Sequence, residues 1–315
     1  MKRFIKRGVI FAVLLLSVCV GIELYLLTVL NEYSYKKQFV EQHKKEIKLL
    51  ILGHSHAANG INAKLLNCGA FNMANQGRIA YYDATLAERY IPQLKDLQYV
   101  IWPLGYNFQY TSYRYPCTQR NKKNSKDINC VSSYKCMYEK YMNIPYNIPG
   151  MYWSELLHSK LDYARRILSR NFLAREICDT LGFEKIDIAD RPSTWQTEKL
   201  PSEVDYKSPN ASLALAENLS YMKRIAQVCK DAHVKLIVLS TPCYKSYLEL
   251  TTPIGLREMQ NCIDTMKSVY PTLEYYNYMN DCRFIEEDFF NSSHLSNIGA
   301  NKFTHIIATE CLLKE

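Results

Sequence analysis

Glycine and proline are scarce in this chain, 11 of each among 315 residues, which excludes a collagen-like or Gly/Pro-rich disordered polypeptide. No segment repeats along the sequence and no low-complexity tract interrupts it, which excludes solenoids and arrays. Eleven cysteines are present, yet no Cys-x-x-Cys pair and no Cys/His ligand spacing occurs, so no metal site is expected. The formal charge of +8 comes without any RNA- or DNA-binding signature, so no nucleic-acid partner is expected. What is there instead, 48% hydrophobic and 22% charged residues, is the composition of a chain that folds around a core. Its length suits one α/β domain carrying an insertion.

Only one long apolar run exists. Residues 9–30 read VIFAVLLLSVCVGIELYLLTVL, 22 residues whose one charge is Glu23, about the length that crosses a bilayer. Lys2, Arg3, Lys6 and Arg7 stand ahead of it and supply four of the positive charges. The other basic clusters, Lys36, Lys37, Lys44, Lys45 and Lys48, then Arg120, Lys122, Lys123 and Lys126, read as solvated or lipid-facing surface. The basic flank predicts a cytoplasmic tail at 1–8, an anchor at 9–30 and everything after about residue 31 on the far side of the membrane. A cleaved signal peptide is the competing reading, since 9–22 alone has the length of an h-region, but no clear A-x-A site follows. Leu16-Ser17-Val18-Cys19 resembles a lipobox with Val18 where a small residue belongs.

Ten cysteines lie beyond the anchor, an even number that permits disulfides in an oxidising compartment. Cys117, Cys130 and Cys136 crowd one polar stretch, whereas Cys229 and Cys311 fall on apolar faces of expected helices and read equally well as buried thiols.

Residues 31–46 are polar and read as a juxtamembrane stalk, with the folded domain at 47–315. Short apolar stretches at 47–52, 70–74, 98–104, 234–240 and 273–278 predict strands, each followed by polar or turn-forming residues. Helical patterns at 82–93, 211–232, 255–269 and 297–313 separate them. This alternation predicts a mostly parallel five-stranded sheet with helices on both faces and ligand sites at the carboxyl ends of the strands. The rhythm stops between about 110 and 209, where a Tyr-, Lys- and Asn-rich insertion with a helical segment at 153–173 follows the third strand. Tyr106, Tyr110, Tyr113 and Tyr115 could stack on sugar rings or simply pack.

The chemistry concentrates in two segments. Leu49-Leu50-Ile51-Leu52-Gly53-His54-Ser55-His56 is an apolar strand that stops at a glycine and presents a serine. A serine hydroxyl attacks only when a base takes its proton. Asp288-Phe289-Phe290-Asn291-Ser292-Ser293-His294-Leu295, a polar loop before the last helix, supplies a histidine, and Gly299 and Ala300 let that helix pack closely. His54 and His56 invite a metal reading, but two histidines two apart in a strand-to-helix turn read better as structural.

Together these residues resemble the SGNH (GDSL-like) hydrolase superfamily, whose blocks appear in order. Gly53-His54-Ser55 stands for its Gly-Asp-Ser block, Gly77 for its oxyanion glycine, Gly105-Tyr106-Asn107 for its Gly-x-Asn block and His294 for its histidine. The likeness is nearest to envelope-associated members similar to polysaccharide O-acetyltransferases. It implies a flavodoxin-like three-layer α/β sandwich and a cofactor-free serine esterase or O-acyltransferase. Ser55 would be the nucleophile and His294 the base, with the Ser55 and Gly77 N–H groups and the Asn107 amide holding the oxyanion. It also implies an acyl-ester or glycan substrate outside the cell membrane. A single anchor offers no channel for an acyl donor, so a transferase would need a donor already outside or a multi-span partner. One departure stands out. The resemblance implies Asp three residues before the histidine, and this chain has Asn291. Asn291 or Asp288 could support His294, the pair could work as a dyad, or the domain could be a non-catalytic glycan-binding or assembly protein.

Overall fold

The structure is a computed structural model and describes residues 1–115, 126–146, 161, 164–165, 178–196, 207 and 209–313, with side chains from residue 134 onward in the 126–146 segment. It opens with α1 (Lys2–Thr28) and α2 (Glu32–Gln42), followed by β1 (Leu49–Ile51), α3 (Ser55–Gly60), β2 (Ala70–Asn72), α4 (Ala80–Tyr90) and β3 (Tyr99–Pro103). Within the insertion lies α5 (Lys126–Met142). Then come α6 (Ala211–Asp231), β4 (Lys235–Ser240), α7 (Lys245–Leu248), α8 (Pro253–Val269), β5 (Glu274–Asn277) and α9 (Asn297–Ile307). The expected helix at 153–173 falls outside the described residues, apart from 161, 164 and 165.

All five strands run parallel in the order β2-β1-β3-β4-β5, the flavodoxin-like winding. Leu49 of β1 sits between Ala70 of β2 and Tyr99 of β3, and Ile101 of β3 faces Ile237 of β4. Strands buried on both faces read as continuous apolar runs, and alternate residues divide them between two cores. Leu50, Val100, Trp102, Leu236 and Val238 join Tyr82, Leu86, Ile225 and Ile263 of α4, α6 and α8. Leu49, Ile51, Ile101, Ile237 and Leu239 meet Ala57, Ala58, Ala300 and Phe303 of α3 and α9 on the other side. Two helical layers therefore enclose the sheet, and the carboxyl ends of its strands all face one way.

α1 is long and apolar enough to cross a membrane. Residues 31–46, expected as a stalk, instead belong to the domain. Asn31 caps α2 by accepting from the Tyr33 and Ser34 N–H groups, and Tyr33 and Val40 are fully buried. The polar appearance of α2 misleads because Lys36 is buried as well, paired with Glu184 at 2.8 Å and donating to the Ala74 carbonyl. Glu184 lies on the later chain of the insertion. That chain runs along the sheet edge, where the Asn72 N–H donates to the Leu181 carbonyl. Cys229, Cys243 and Cys262 are buried free thiols, and Cys311 is buried beside Tyr278. Cys117 lies outside the described residues, as does the side chain of Cys130.

Candidate active site

β1 ends at Ile51, and the chain reverses through Gly53, whose φ of +113° favours glycine. A Cβ there would also fall 2.7 Å from the Pro103 ring. The Gly53 N–H donates to Asp83 Oδ1 at 3.0 Å. His54 caps α3, and Ser55 is the first residue of that helix, half-buried, with its hydroxyl at the carboxyl end of the sheet.

The histidine arrives from the opposite end of the chain. A bridge between Phe289 and Leu295 pinches a loop, and the Phe290 N–H donates to the His294 carbonyl at 2.9 Å. Ser296 then caps α9 by accepting from the Gly299 N–H at 3.3 Å. Gly299 has no side chain because a Cβ would fall 2.0 Å from the Asp288 carbonyl oxygen. The outcome is a hydrogen bond of 2.8 Å between Ser55 Oγ and His294 Nε2, residues 239 apart in sequence.

On the far side of the imidazole, Asn291 Oδ1 lies 3.0 Å from His294 Nδ1. The same oxygen accepts from the backbone N–H groups of Ser293 at 3.0 Å and His294 at 2.8 Å. Two backbone donors require an oxygen at that position, so the amide cannot turn its NH₂ toward the ring. Nδ1 faces this oxygen and, at 3.1 Å, the Ser293 hydroxyl; with its proton on Nδ1 the imidazole offers the Nε2 lone pair to Ser55. Asp288, the other candidate support, does not approach His294. Its carboxylate accepts from the Ile285 N–H at 2.8 Å and pairs with Lys302 at 2.7 Å, which ties down the 3₁₀ turn ahead of the loop.

The oxyanion candidates lie at neighbouring strand ends. Gly77, with φ of +62°, follows β2 in a loop tied to the elbow where the Asn75 N–H donates to the Gly53 carbonyl at 3.2 Å. Asn107 occupies the turn after β3, half-buried, and its buried Oδ1 has no hydrogen-bond partner among the described residues. That turn adjoins the elbow. A Cβ on Gly105 would rest 3.6 Å from His56 Nδ1, and Phe108 stacks on His54 with ring centroids 4.8 Å apart. Tyr106 is turned away, its hydroxyl accepting from the Thr252 N–H at 2.8 Å. Tyr113 donates its hydroxyl to the Gly77 carbonyl, and Tyr110 is buried.

His54 and His56 are structural in their contacts. His54 Nδ1 accepts from the His56 N–H at 3.4 Å, and His56 Nδ1 lies 3.2 Å from Thr241 Oγ1. The His56 ring meets His294 edge-on at 4.8 Å. Among the described residues no group of three His, Cys, Asp or Glu side chains could hold a metal ion. Burial drives the His294 pKa down to about 4, that of His54 to about 3 and that of His56 well below the ordinary value. All three rings are neutral near pH 7, and a neutral imidazole is the form that accepts a proton.

Sequence reasoning missed the support beneath the elbow. Asp83 is fully buried and accepts from the Gly53 N–H, from Trp102 Nε1 at 2.8 Å and from Arg78 Nη1 at 3.1 Å. Arg78, also buried, donates to the Met73 carbonyl and to Asn75 Oδ1, each at 2.7 Å, and to the Tyr138 hydroxyl at 3.1 Å. The available signal was an acidic residue on the otherwise apolar face of α4.

No family model matches the chain and no curated protein matches it. Among solved structures it is similar to one described as "a putative platelet activating factor from Streptococcus pneumonia", with 11% identity and a TM-score of 0.42 over 93% of this chain and 98% of that one. A likeness of that extent carries no argument about activity.

Proposed function

We propose that the protein is a membrane-anchored serine esterase or O-acyltransferase of the SGNH kind, with its α/β domain outside the cell membrane and an acyl group, acetyl by preference, on an envelope glycan as its substrate. The observation that carries this reading is the 2.8 Å contact between Ser55 Oγ and His294 Nε2, with the Asn291 amide oxygen 3.0 Å from Nδ1 on the far side of the ring. Ser55 attacks the acyl carbonyl as His294 takes its proton. The Ser55 and Gly77 N–H groups and the Asn107 amide receive the developing oxyanion. His294 then protonates the leaving oxygen, and water or a sugar hydroxyl resolves the acyl-enzyme by the reverse sequence.

The end of α1 packs on the domain through buried Leu26 and through an ion pair between Glu23 and Lys140, which favours a retained anchor over a cleaved signal peptide. Asn291 at the position of an acid favours a second reading, a non-catalytic glycan-binding or assembly protein. A fluorophosphonate probe separates the two. The first predicts that the probe labels the wild type and that Ser55→Ala abolishes labelling. Equal labelling of both proteins, or none of either, overturns it. Acetate release from model esters, with and without sugar acceptors, then distinguishes hydrolase from transferase.

A further inference from the structure

Resting on the serine-enzyme reading above, we propose that α5 is a positioning strut that ties the membrane-proximal end of α1 to the nucleophile elbow and the Gly77 loop. On this proposal the site is held in working geometry by the anchor itself.

The described face of α5 carries Tyr134, Met137, Tyr138 and Tyr141, spaced three and four apart and therefore aligned along one side of the helix. From Tyr134 to Tyr141 this row spans about 10 Å. At one end the Tyr134 ring lies on Gly77, close enough that a Cβ there would fall 2.3 Å from it. One turn further on, the fully buried Tyr138 stacks on Tyr82 at 3.7 Å and accepts from Arg78 Nε at 3.1 Å. Arg78 shares Asp83 Oδ1 with the Gly53 N–H, so the chain of contacts continues from α5 to the residue two before Ser55.

At the other end Tyr141 donates its hydroxyl to the Leu26 carbonyl at 2.6 Å, and Lys140 pairs with Glu23, the one charge in the apolar run. A carboxylate in such a segment is costly unless it is partnered, and the partner here comes from α5. Just past the end of the helix, Arg89 of α4 donates to the Asn143 carbonyl at 2.9 Å. The insertion thus bears on both the anchor and the catalytic end.

The test uses the full-length protein in detergent or lipid nanodiscs with Tyr141→Phe, Tyr138→Phe and the double variant. Three quantities are read: the rate of Ser55 labelling by a fluorophosphonate, the amide exchange of Gly53 and Asn75, whose N–H groups are hydrogen-bonded along this path, and the melting temperature. Each single change is expected to slow labelling about ten- to hundredfold, as small misplacements of catalytic groups do, and to speed exchange at both amides. The double variant should be no slower than the worse single one, because both changes cut the same path. Wild-type labelling and exchange in Tyr141→Phe, effects that multiply in the double variant, or a change confined to the melting temperature would each overturn the strut. If the wild type does not label at all, the serine-enzyme reading fails, and the exchange measurement alone decides the strut.

Discussion

Replacing Asn291 with Asp tests the proposed serine–histidine chemistry at its most unusual point. The asparagine oxygen already occupies the acceptor position, 3.0 Å from His294 Nδ1 and satisfied by two backbone N–H groups. Asn291→Asp therefore adds charge and leaves the imidazole orientation as it was. At that separation and an effective dielectric constant near 20, two unit charges attract by about 5 kcal/mol. The cost of burying the carboxylate offsets part of this, leaving the shift of roughly 1 to 3 pKa units that a nearby opposite charge produces. The His294 pKa, about 4 in the wild type, should rise by that amount. A higher pKa marks a better-stabilised imidazolium, worth about 1.4 to 4 kcal/mol in the transition state, so the plateau rate should rise roughly ten- to thousandfold at most. The acid limb should move in the same direction, because only neutral His294 accepts the Ser55 proton. The assay is the fluorophosphonate labelling rate, or hydrolysis of a chromogenic acetate ester, from pH 4 to 9. A folded Asn291→Asp protein whose plateau and acid limb both match the wild type would refute the reasoning. So would a lowered plateau. In a serine-protease triad the reverse change costs about 10⁴, largely through the wrong tautomer. Here the backbone donors already turn the amide oxygen toward Nδ1, which is why the expected gain is smaller.

Two further outcomes concern stability. His54, His56 and His294 all have folded pKa values below the ordinary 6.5, so below that pH the unfolded chain binds protons that the folded chain refuses. Stability should be intact above pH 6.5 and fall toward pH 4, at no more than about 1.4 kcal/mol per pH unit for each ring, less to the extent that the rings keep some exposure. Urea midpoints at pH 7.5 and 5.5 check this, and equal midpoints would contradict it. Lys36→Ala strands the Glu184 carboxylate in the interior and should cost about 3–5 kcal/mol in urea denaturation, whereas Lys36→Met with Glu184→Leu should recover much of the loss. A double variant as unstable as the single one would show that the pair does not act as a unit.

The elements of the sheet were legible because apolar strands buried on both faces leave an unmistakable rhythm, and 98–104 and 234–240 match β3 and β4 to within a residue at each end. Ser55 and His294 are legible because each adjoins a recognisable element boundary, the end of a strand and the start of a helix. The choice between Asn291 and Asp288 was not legible. Both precede His294 in the same loop, and only the reversal that returns the Phe290 N–H to the His294 carbonyl decides which faces the ring. α2 reads as a stalk in sequence for a related reason. A lysine appears in sequence as a surface residue, and the acid that allows Lys36 to be buried lies 148 residues away. The Asp83–Arg78 pair was hidden in the same manner, since its value lies in holding Gly53, a contact that spans 30 positions.

Only Val29, Leu30 and Asn31 separate α1 from α2, and α2 is fastened into the fold. With α1 in a bilayer, such a short link gives the catalytic end a fixed reach instead of a sweeping radius. On the function proposed above, polymer at a distance from the lipid surface would escape it, and chains would be modified as they passed at one height. The place of growth of the envelope, more than the affinity of a cleft, would then select what is acted on.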